Sequence, residues 1–259
     1  MALIQKNDWI DKKAQGDRIS MITAYDSAFA ALLSQVGDLD LILVGDSLGM
    51  VIQGHDTTRA VTMDNMIYHT EIVARVSNGI PVIGDMPYHS FDSAEEALQN
   101  ARRLIDVGAS AVKIEGNKPE VTRRLVEEGI PVMGHLGLLP QTAEKFKVQG
   151  KDTAAADTIF NDALELEKQG AFSLVLECVP RGLAERISRA LRIPSIGIGA
   201  GPDCDGQVLV LHDMLGLTQG YSPKFVKRYA QLDSVVIEAV QRYNAEVKSG
   251  DFPTDTYSY

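Results

Sequence analysis

Cysteine is nearly absent: Cys178 and Cys204 are the only two among 259 residues. They lack the spacing of a thiolate zinc site or a disulfide framework, and two free thiols fit a reducing cytoplasm. Histidine is scarce as well, with five residues. Basic residues are outnumbered, 25 Lys and Arg against 35 Asp and Glu, a formal charge of −10. That argues against a nucleic-acid groove, which requires a basic patch. No apolar run approaches the roughly 18 residues needed to span a bilayer. The opening stretch MALIQKNDWIDKKAQGD has no secretory apolar region and reads as a short amphipathic helix. No linker or low-complexity segment interrupts the chain, so residues 1–259 are expected to form a single catalytic domain handling small molecules.

Hydrophobic residues, 45% of the chain, are enough for a large core. Eight apolar β-type runs alternate with helix-like stretches: 19–26, 39–47, 81–86, 111–116, 131–136, 174–179, 194–200 and 207–213. Several are apolar on both faces, as strands of a covered parallel sheet are. Between them, FDSAEEALQNARRLIDVG carries a capping-box pattern from Asp92 to Glu95, apolar residues at helical spacing and a closing glycine, Gly108. Two further stretches close in the same way at Gly79 and Gly170, and 222–243 reads as a long final helix. GIPVIGD (79–85) and GIPVMGH (129–135) match at five of seven positions, which gives Asp85 and His135 equivalent places. Eight βα units in about 250 residues predict a TIM (β/α)8 barrel, with a doubly wound open sheet as the alternative fold. The long stretches 48–61 and 137–152 follow strands two and five, and would lie at the mouth where barrel active sites are built.

The stretch AVKIEG, residues 111–116, sets two charges into an apolar strand. Residues two apart share a face, so Lys113 and Glu115 point one way and Val112 and Ile114 the other. Other strand ends carry Asp46-Ser47, Asp85, His135, Glu177, the glycine run GIGAG and His212-Asp213. Asp46, Asp85, Glu115 and Glu177 are an excess of anions facing one lysine and one histidine. Clustered carboxylates raise one another's pKa values unless a cation compensates. Oxygen ligands with few His and no Cys favour Mg²⁺ or Mn²⁺, with Asp46 and Asp85 as closest ligands and Glu115 bound directly or through water. Each residue also has a structural reading. The aspartates suit caps or loops, Lys113–Glu115 suits a buried ion pair, and His135 suits a hydrogen-bonded mouth residue. Glu177, alone in LVLECVP, is costly to bury unpaired, which suits a general base. His212 and Asp213 read as structural, and GIGAG as either a phosphate loop or a tight turn.

Together MITAYDSAFA, ILVGDSLGMVIQGHDTT, PVIGDMPY, VKIEG, PVMGHLGLLPQ, LVLECVP and SIGIGAGPDCDGQVLVLHDMLG closely resemble the ketopantoate hydroxymethyltransferase family, over about residues 4–253. The resemblance implies a TIM barrel and a Mg²⁺-dependent cytoplasmic enzyme. It would transfer a one-carbon unit from 5,10-methylenetetrahydrofolate to 3-methyl-2-oxobutanoate, giving 2-dehydropantoate, the first committed step of pantothenate and coenzyme A synthesis. A homodecamer of two facing pentamers is implied too. By motif, Asp46, Asp85 and Glu115 resemble the Mg²⁺ site. Asp46, Ser47, Asp85 and Lys113 resemble oxoacid contacts, with His135 placed to bind substrate or pass protons, and Glu177 resembles the proton acceptor.

Rival readings differ in class. An enzyme of the phosphoenolpyruvate mutase or isocitrate lyase type would carry a lid motif such as K-K-C-G-H, which does not occur here. A Schiff-base aldolase would use Lys113 as nucleophile, which the neighbouring Glu115 and the carboxylate excess disfavour. A non-catalytic barrel would tolerate loss of the site carboxylates, yet none is missing.

Overall fold

A computed structural model describes residues 2–220 and 222–259, which divide between 210 and 211 into two compact units. In the first unit eight parallel strands close a barrel in sequence order. They are β1 (Ile19–Thr23), β2 (Leu41–Val44), β3 (Val82–Asp85), β4 (Ala111–Glu115), β5 (Val132–Gly137), β6 (Ser173–Glu177), β7 (Ser195–Ile198) and β8 (Gly206–Leu209). The helices of this unit are α1 (Lys6–Ala14), α2 (Ser27–Leu33), α3 (Leu48–Val51), α4 (Met63–Val76), α5 (Ala94–Asp106), α6 (Pro119–Glu127), α7 (Thr153–Lys168) and α8 (Arg181–Ala190). The second unit holds α9 (Leu211–Met214) and α10 (Leu232–Ser249). Among the described residues no helix is long and apolar enough to cross a membrane.

Helix ends follow local chemistry. Thr62 and Asn65 form a reciprocal capping box on α4. On α5 the cap is Ser93, one residue after the expected Asp92, and its hydroxyl accepts from the Glu96 N–H. The closing glycines Gly79, Gly108 and Gly170 all take positive φ, the left-handed geometry that ends a helix. Other boundaries moved further. The eighth strand stops at Leu209, so His212 and Asp213 fall in α9 rather than on a strand end. The final helix starts at Leu232, ten residues later than expected, because a turn opening at Pro223 and irregular backbone precede it.

Two apolar layers surround the strands. Residues alternating outward, such as Val112 and Ile114, pack against Leu98, Ala101 and Leu104 of α5 and Leu125 of α6. Residues alternating inward build an axial cluster from Met21, Leu41, Leu43, Ile83, Ala111, Met133, Val175, Ile196 and Val208. Ile4 and Trp9 belong to the same cluster, and Trp9 meets Phe172 edge-on at 5.9 Å between ring centres. The N-terminal helix thereby seals the end of the barrel where the strands begin. Each buried aliphatic side chain contributes about 1.5–3 kcal/mol, so this plug is a rigid floor beneath the strand C-termini.

Gly206 sits where β8 joins β1 and β7. A Cβ there would lie 2.4 Å from the Ile19 carbonyl oxygen and 2.7 Å from Ile196 Cδ1. A backbone oxygen in a ladder cannot step aside. Gly206→Ala is therefore expected to cost about 2–3 kcal/mol, read as a lower urea midpoint with an unchanged slope. Gly182→Ala, on α8 with open space around the new methyl, should be neutral or stabilising by up to about 1 kcal/mol.

Candidate active site

Strand register assembles the site. Asp85 pairs with Lys113, Glu115 with His135, and Gly137 with Glu177 along neighbouring strands. Four of these side chains lie two residues beyond a member of the axial cluster. Ile83 precedes Asp85, Ala111 precedes Lys113, Met133 precedes His135, and Val175 precedes Glu177. The period-two rule thus carries an apolar interior upward into a polar mouth. Asp46 and Ser47 arrive differently, from the turn between β2 and α3.

Within that mouth Lys113 Nζ donates to both oxygens of Asp85, at 2.8 and 2.7 Å. Asp85 Oδ2 also accepts from the Asp46 backbone N–H at 3.2 Å. Glu115 turns the other way. Its Oε1 faces His135 Nδ1 at 3.4 Å, while His135 Nε2 faces Glu177 Oε2 at 3.2 Å. These are charge contacts lying off the line of a hydrogen bond, because both ring nitrogens and Glu115 Oε1 are buried without hydrogen-bond partners. Ser47 Oγ lies 2.7 Å from the Tyr25 hydroxyl, and it does not cap α3. Asp46, Asp85, Lys113, Glu115 and His135 are buried, whereas the Glu177 side chain keeps 17% of its surface exposed.

The electrostatics follow from burial and mutual charge. Burial, then Asp85, pushes Asp46 up to about 8. Burial also raises Asp85, although Lys113 opposes it. For Lys113 burial works against the charge, but Asp85, Glu115 and Asp46 outweigh it and hold the ammonium above its ordinary pKa. Glu115 overcomes its burial through His135, Lys113 and the Gln141 N–H, and is lowered. His135 is opposed by burial and Lys113, yet Glu115 and Glu177 raise it to about 9. The mouth therefore carries more carboxylate than its own cations neutralise.

Every residue singled out from the sequence for the site lies in this region, and the structural alternative of a Lys113–Glu115 ion pair is not what forms. Lys113 pairs with Asp85 rather than with its strand neighbour Glu115, because the register sets Asp85 beside it. His135 joins two glutamates. Among the described residues no three His, Cys, Asp or Glu side chains stand together as a finished metal cage. The donors nevertheless fit a hard divalent cation. Asp46, Asp85 and Glu115 offer only oxygen, and Glu115 Oε1 is a buried acceptor with no hydrogen bond. The sequence reading missed Tyr25 and Gln141. Gln141 donates from its side chain to Asp46 Oδ2 at 2.9 Å and from its backbone to Glu115 Oε2 at 3.1 Å. A single glutamine in LLPQTAEK gives no periodic signal that could have flagged it.

Known proteins resemble this chain in two ways. The family model for ketopantoate hydroxymethyltransferase matches residues 4–255. The 3-methyl-2-oxobutanoate hydroxymethyltransferase of Pelobacter propionicus is 53% identical over 259 residues, covering 97% of this chain and 96% of the relative. That of Syntrophus aciditrophicus is 51% identical over 254 residues, covering 95% and 93%. Among solved structures a phosphonopyruvate hydrolase superposes with a TM-score of 0.65 at 12% identity, covering 99% of this chain and 92% of that one. A 2,3-dimethylmalate lyase of the PEP mutase/isocitrate lyase superfamily gives 0.62 at 14%, covering 98% and 91%. At such identities these two show a shared barrel fold alone.

The position of His135 between two glutamates sets a pH dependence. Its folded pKa, about 9, exceeds its ordinary 6.5. Its stabilising contribution is therefore complete below about pH 6.5 and lost as pH rises through about 9. In chelator, wild type should exceed His135→Gln in stability by on the order of 3 kcal/mol at pH 6. Urea unfolding should show that margin shrinking by pH 10; a constant margin contradicts the assignment.

Proposed function

The chain belongs to the ketopantoate hydroxymethyltransferase family, and from that premise we propose that it transfers a hydroxymethyl group from 5,10-methylenetetrahydrofolate to 3-methyl-2-oxobutanoate, giving 2-dehydropantoate. The observation carrying this reading is the meeting of Asp46, Asp85, Lys113, Glu115, His135 and Glu177 at one barrel mouth. In that mouth Asp46, Asp85 and Glu115 would hold Mg²⁺. When bound, the ion supplies Lewis acidity at the keto group and makes the substrate C3–H more acidic.

The chain's own groups do the rest. Lys113, its charge secured by Asp85, Glu115 and Asp46, attracts the substrate carboxylate. Ser47, oriented by the Tyr25 hydroxyl, presents a hydroxyl to the oxoacid, and Asp46 and Asp85 flank it. Glu177 takes the C3 proton at a carboxylate oxygen. Its partial exposure suits a base that must meet a substrate entering from solvent. The carbon so freed bonds to the one-carbon unit; both of that unit's bonds to folate nitrogen break, one water supplies the hydroxyl oxygen, and the two nitrogens take up protons to leave tetrahydrofolate. His135, against both Glu115 and Glu177, fixes the carboxylate pair and is placed to relay the proton away. The two long loops after β2 and β5 would keep bulk solvent from the reacting carbon.

A cytoplasmic setting accords with two free cysteines. A homodecamer of two pentamers is the assembly we favour. Its support, apart from family resemblance, is α10, on which Val235, Val236, Ile237, Val240, Tyr243 and Val247 are all exposed. Apolar side chains so grouped on a helix call for a covering surface.

Deuterium exchange at C3 of 3-methyl-2-oxobutanoate tests substrate, metal and base together. Exchange should require Mg²⁺ and proceed without tetrahydrofolate if Glu177 acts before transfer. Glu177→Gln should retain oxoacid binding within about threefold and lose at least a hundredfold in exchange rate. Wild-type exchange in that variant removes Glu177 from the role of base. Lys113→Met should weaken oxoacid binding at least tenfold, as expected for a lost charge-assisted contact. Calorimetry with unchanged affinity contradicts the carboxylate contact.

A further inference from the structure

The segment between β5 and α7 sends one side chain beneath the mouth. Gln141 is 1% exposed, which is rare for a glutamine outside regular secondary structure. Its backbone N–H donates to Glu115 Oε2 at 3.1 Å. Its side-chain amide donates to Asp46 Oδ2 at 2.9 Å and to the Met86 carbonyl at 3.0 Å. One residue thus ties down the ends of three strands, β2, β3 and β4, from which the three carboxylates emerge. The segment after β2 answers it. Arg59 Nε donates to the Gln141 carbonyl at 2.9 Å, and its guanidinium donates to the Ala143 carbonyl at 3.0 Å.

The chemistry of the donor matters. A lysine here would neutralise Asp46 and compete with a cation. An amide holds the carboxylate and leaves its charge in place. Each bond uses one oxygen of its carboxylate, Oδ2 of Asp46 and Oε2 of Glu115, while Glu115 Oε1 stays buried without a hydrogen bond. Buried carboxylates so near one another repel, and without a fixed donor they would turn apart. Hydrogen bonds from outside a ligand set that orient the ligands are a general requirement of metal sites.

We infer that Gln141 is a positioning residue for the divalent cation, fixing Asp46 and Glu115 in a ligating arrangement, and that Arg59 fixes Gln141. This rests on the Mg²⁺ reading above and adds to it the outer residues that make the site. It also gives the two long loops a shared task. The loop after β2 supplies the arginine and the loop after β5 the glutamine, so the cation site depends on their contact.

The test is Mn²⁺ binding to metal-stripped protein, by calorimetry and by the electron spin resonance of the bound ion, with thermal unfolding of the metal-free chain as the folding control. Gln141→Met keeps the side chain's length and removes its donors. It should weaken Mn²⁺ binding about 10–100-fold and broaden the bound-ion spectrum, with little change in metal-free melting. Arg59→Met should weaken binding by a smaller factor, and should add less than its single effect when combined with Gln141→Met, since only the residue 141 backbone bond to Glu115 is then left for it to fix. Wild-type protein that binds no Mn²⁺ overturns the metal reading and this inference with it. Wild-type binding together with unchanged affinity in a folded Gln141→Met overturns this inference alone. If Gln141→Met does not fold, the exposed Arg59→Met decides, and unchanged Mn²⁺ affinity there overturns it.

Discussion

Lys113 lies 2.7 and 2.8 Å from the two oxygens of Asp85, inside a parallel barrel, with both side chains almost wholly buried. Such a pair is a poor source of stability, because stripping water from two charges costs several kcal/mol per ion before their attraction is counted. A leucine and a methionine in those places would fill the space at lower cost. What the pair does provide is a charge that cannot drift. Asp85 anchors the lysine, and the Asp46 N–H then bonds to Asp85. Asp46, Glu115 and His135 have their positions and protonation set around that fixed charge. Remove the lysine and four carboxylates face one imidazole, an arrangement that would protonate or spring apart.

The pair is affordable because the barrel beneath it is dry and full. Strand alternation makes the same inward face apolar at one level and ionic two residues higher. Ala111 and Ile83 belong to the floor, and Lys113 and Asp85 to the mouth. The outward face of the same strand, Val112 and Ile114, is buried against helices. The buried Val112 and Ile114 thereby fasten the backbone that carries Lys113 and Glu115. Trp9 and Ile4 close the opposite end, so water reaches the charged level from the mouth.

The barrel was legible because its signals are repeated. Eight apolar runs, closing glycines and the recurring GIP motif all report local geometry, and local geometry is what sequence encodes directly. The carboxylates that meet at the barrel mouth were conspicuous for the same reason: a charge inside an apolar run stands out wherever it falls. Partners were harder. That Lys113 meets Asp85, 28 residues away, rather than Glu115, two away, is decided by strand register, and register is a long-range property. Strand eight misled because the apolar run VLVL, 208–211, continues past Leu209, and nothing in it marks Leu209 as the last paired residue. Gln141 was invisible since its importance comes wholly from what the loop places beside it.

Glu177 stands apart from the interlocked cluster, and the backbone explains how. Its own carbonyl accepts from the Leu138 N–H at 2.8 Å. A Cβ on Gly137 would lie 2.2 Å from that same oxygen, so only glycine lets β5 approach β6 this closely. The next residue, Cys178, takes a left-handed φ of 49°, a conformation costing a non-glycine residue about 1–3 kcal/mol. Two main-chain bonds hold it there, from its N–H to Ile198 and from the Gln149 N–H to its carbonyl. The strand is thus turned sharply just past the glutamate, and the main chain fixes where the side chain begins. Its carboxylate meets His135 and is otherwise left partly open. On the proposed reading, the carboxylates that would hold the cation need fixed surroundings, as the Gln141 bonds to Asp46 and Glu115 supply. A base has the opposite need, an oxygen free to reach a substrate proton and then give it up. Fixing Glu177 through its backbone while leaving the side chain room would meet that need in the base proposed above, and it sets Glu177 apart from Asp46 and Glu115 by the way each is held.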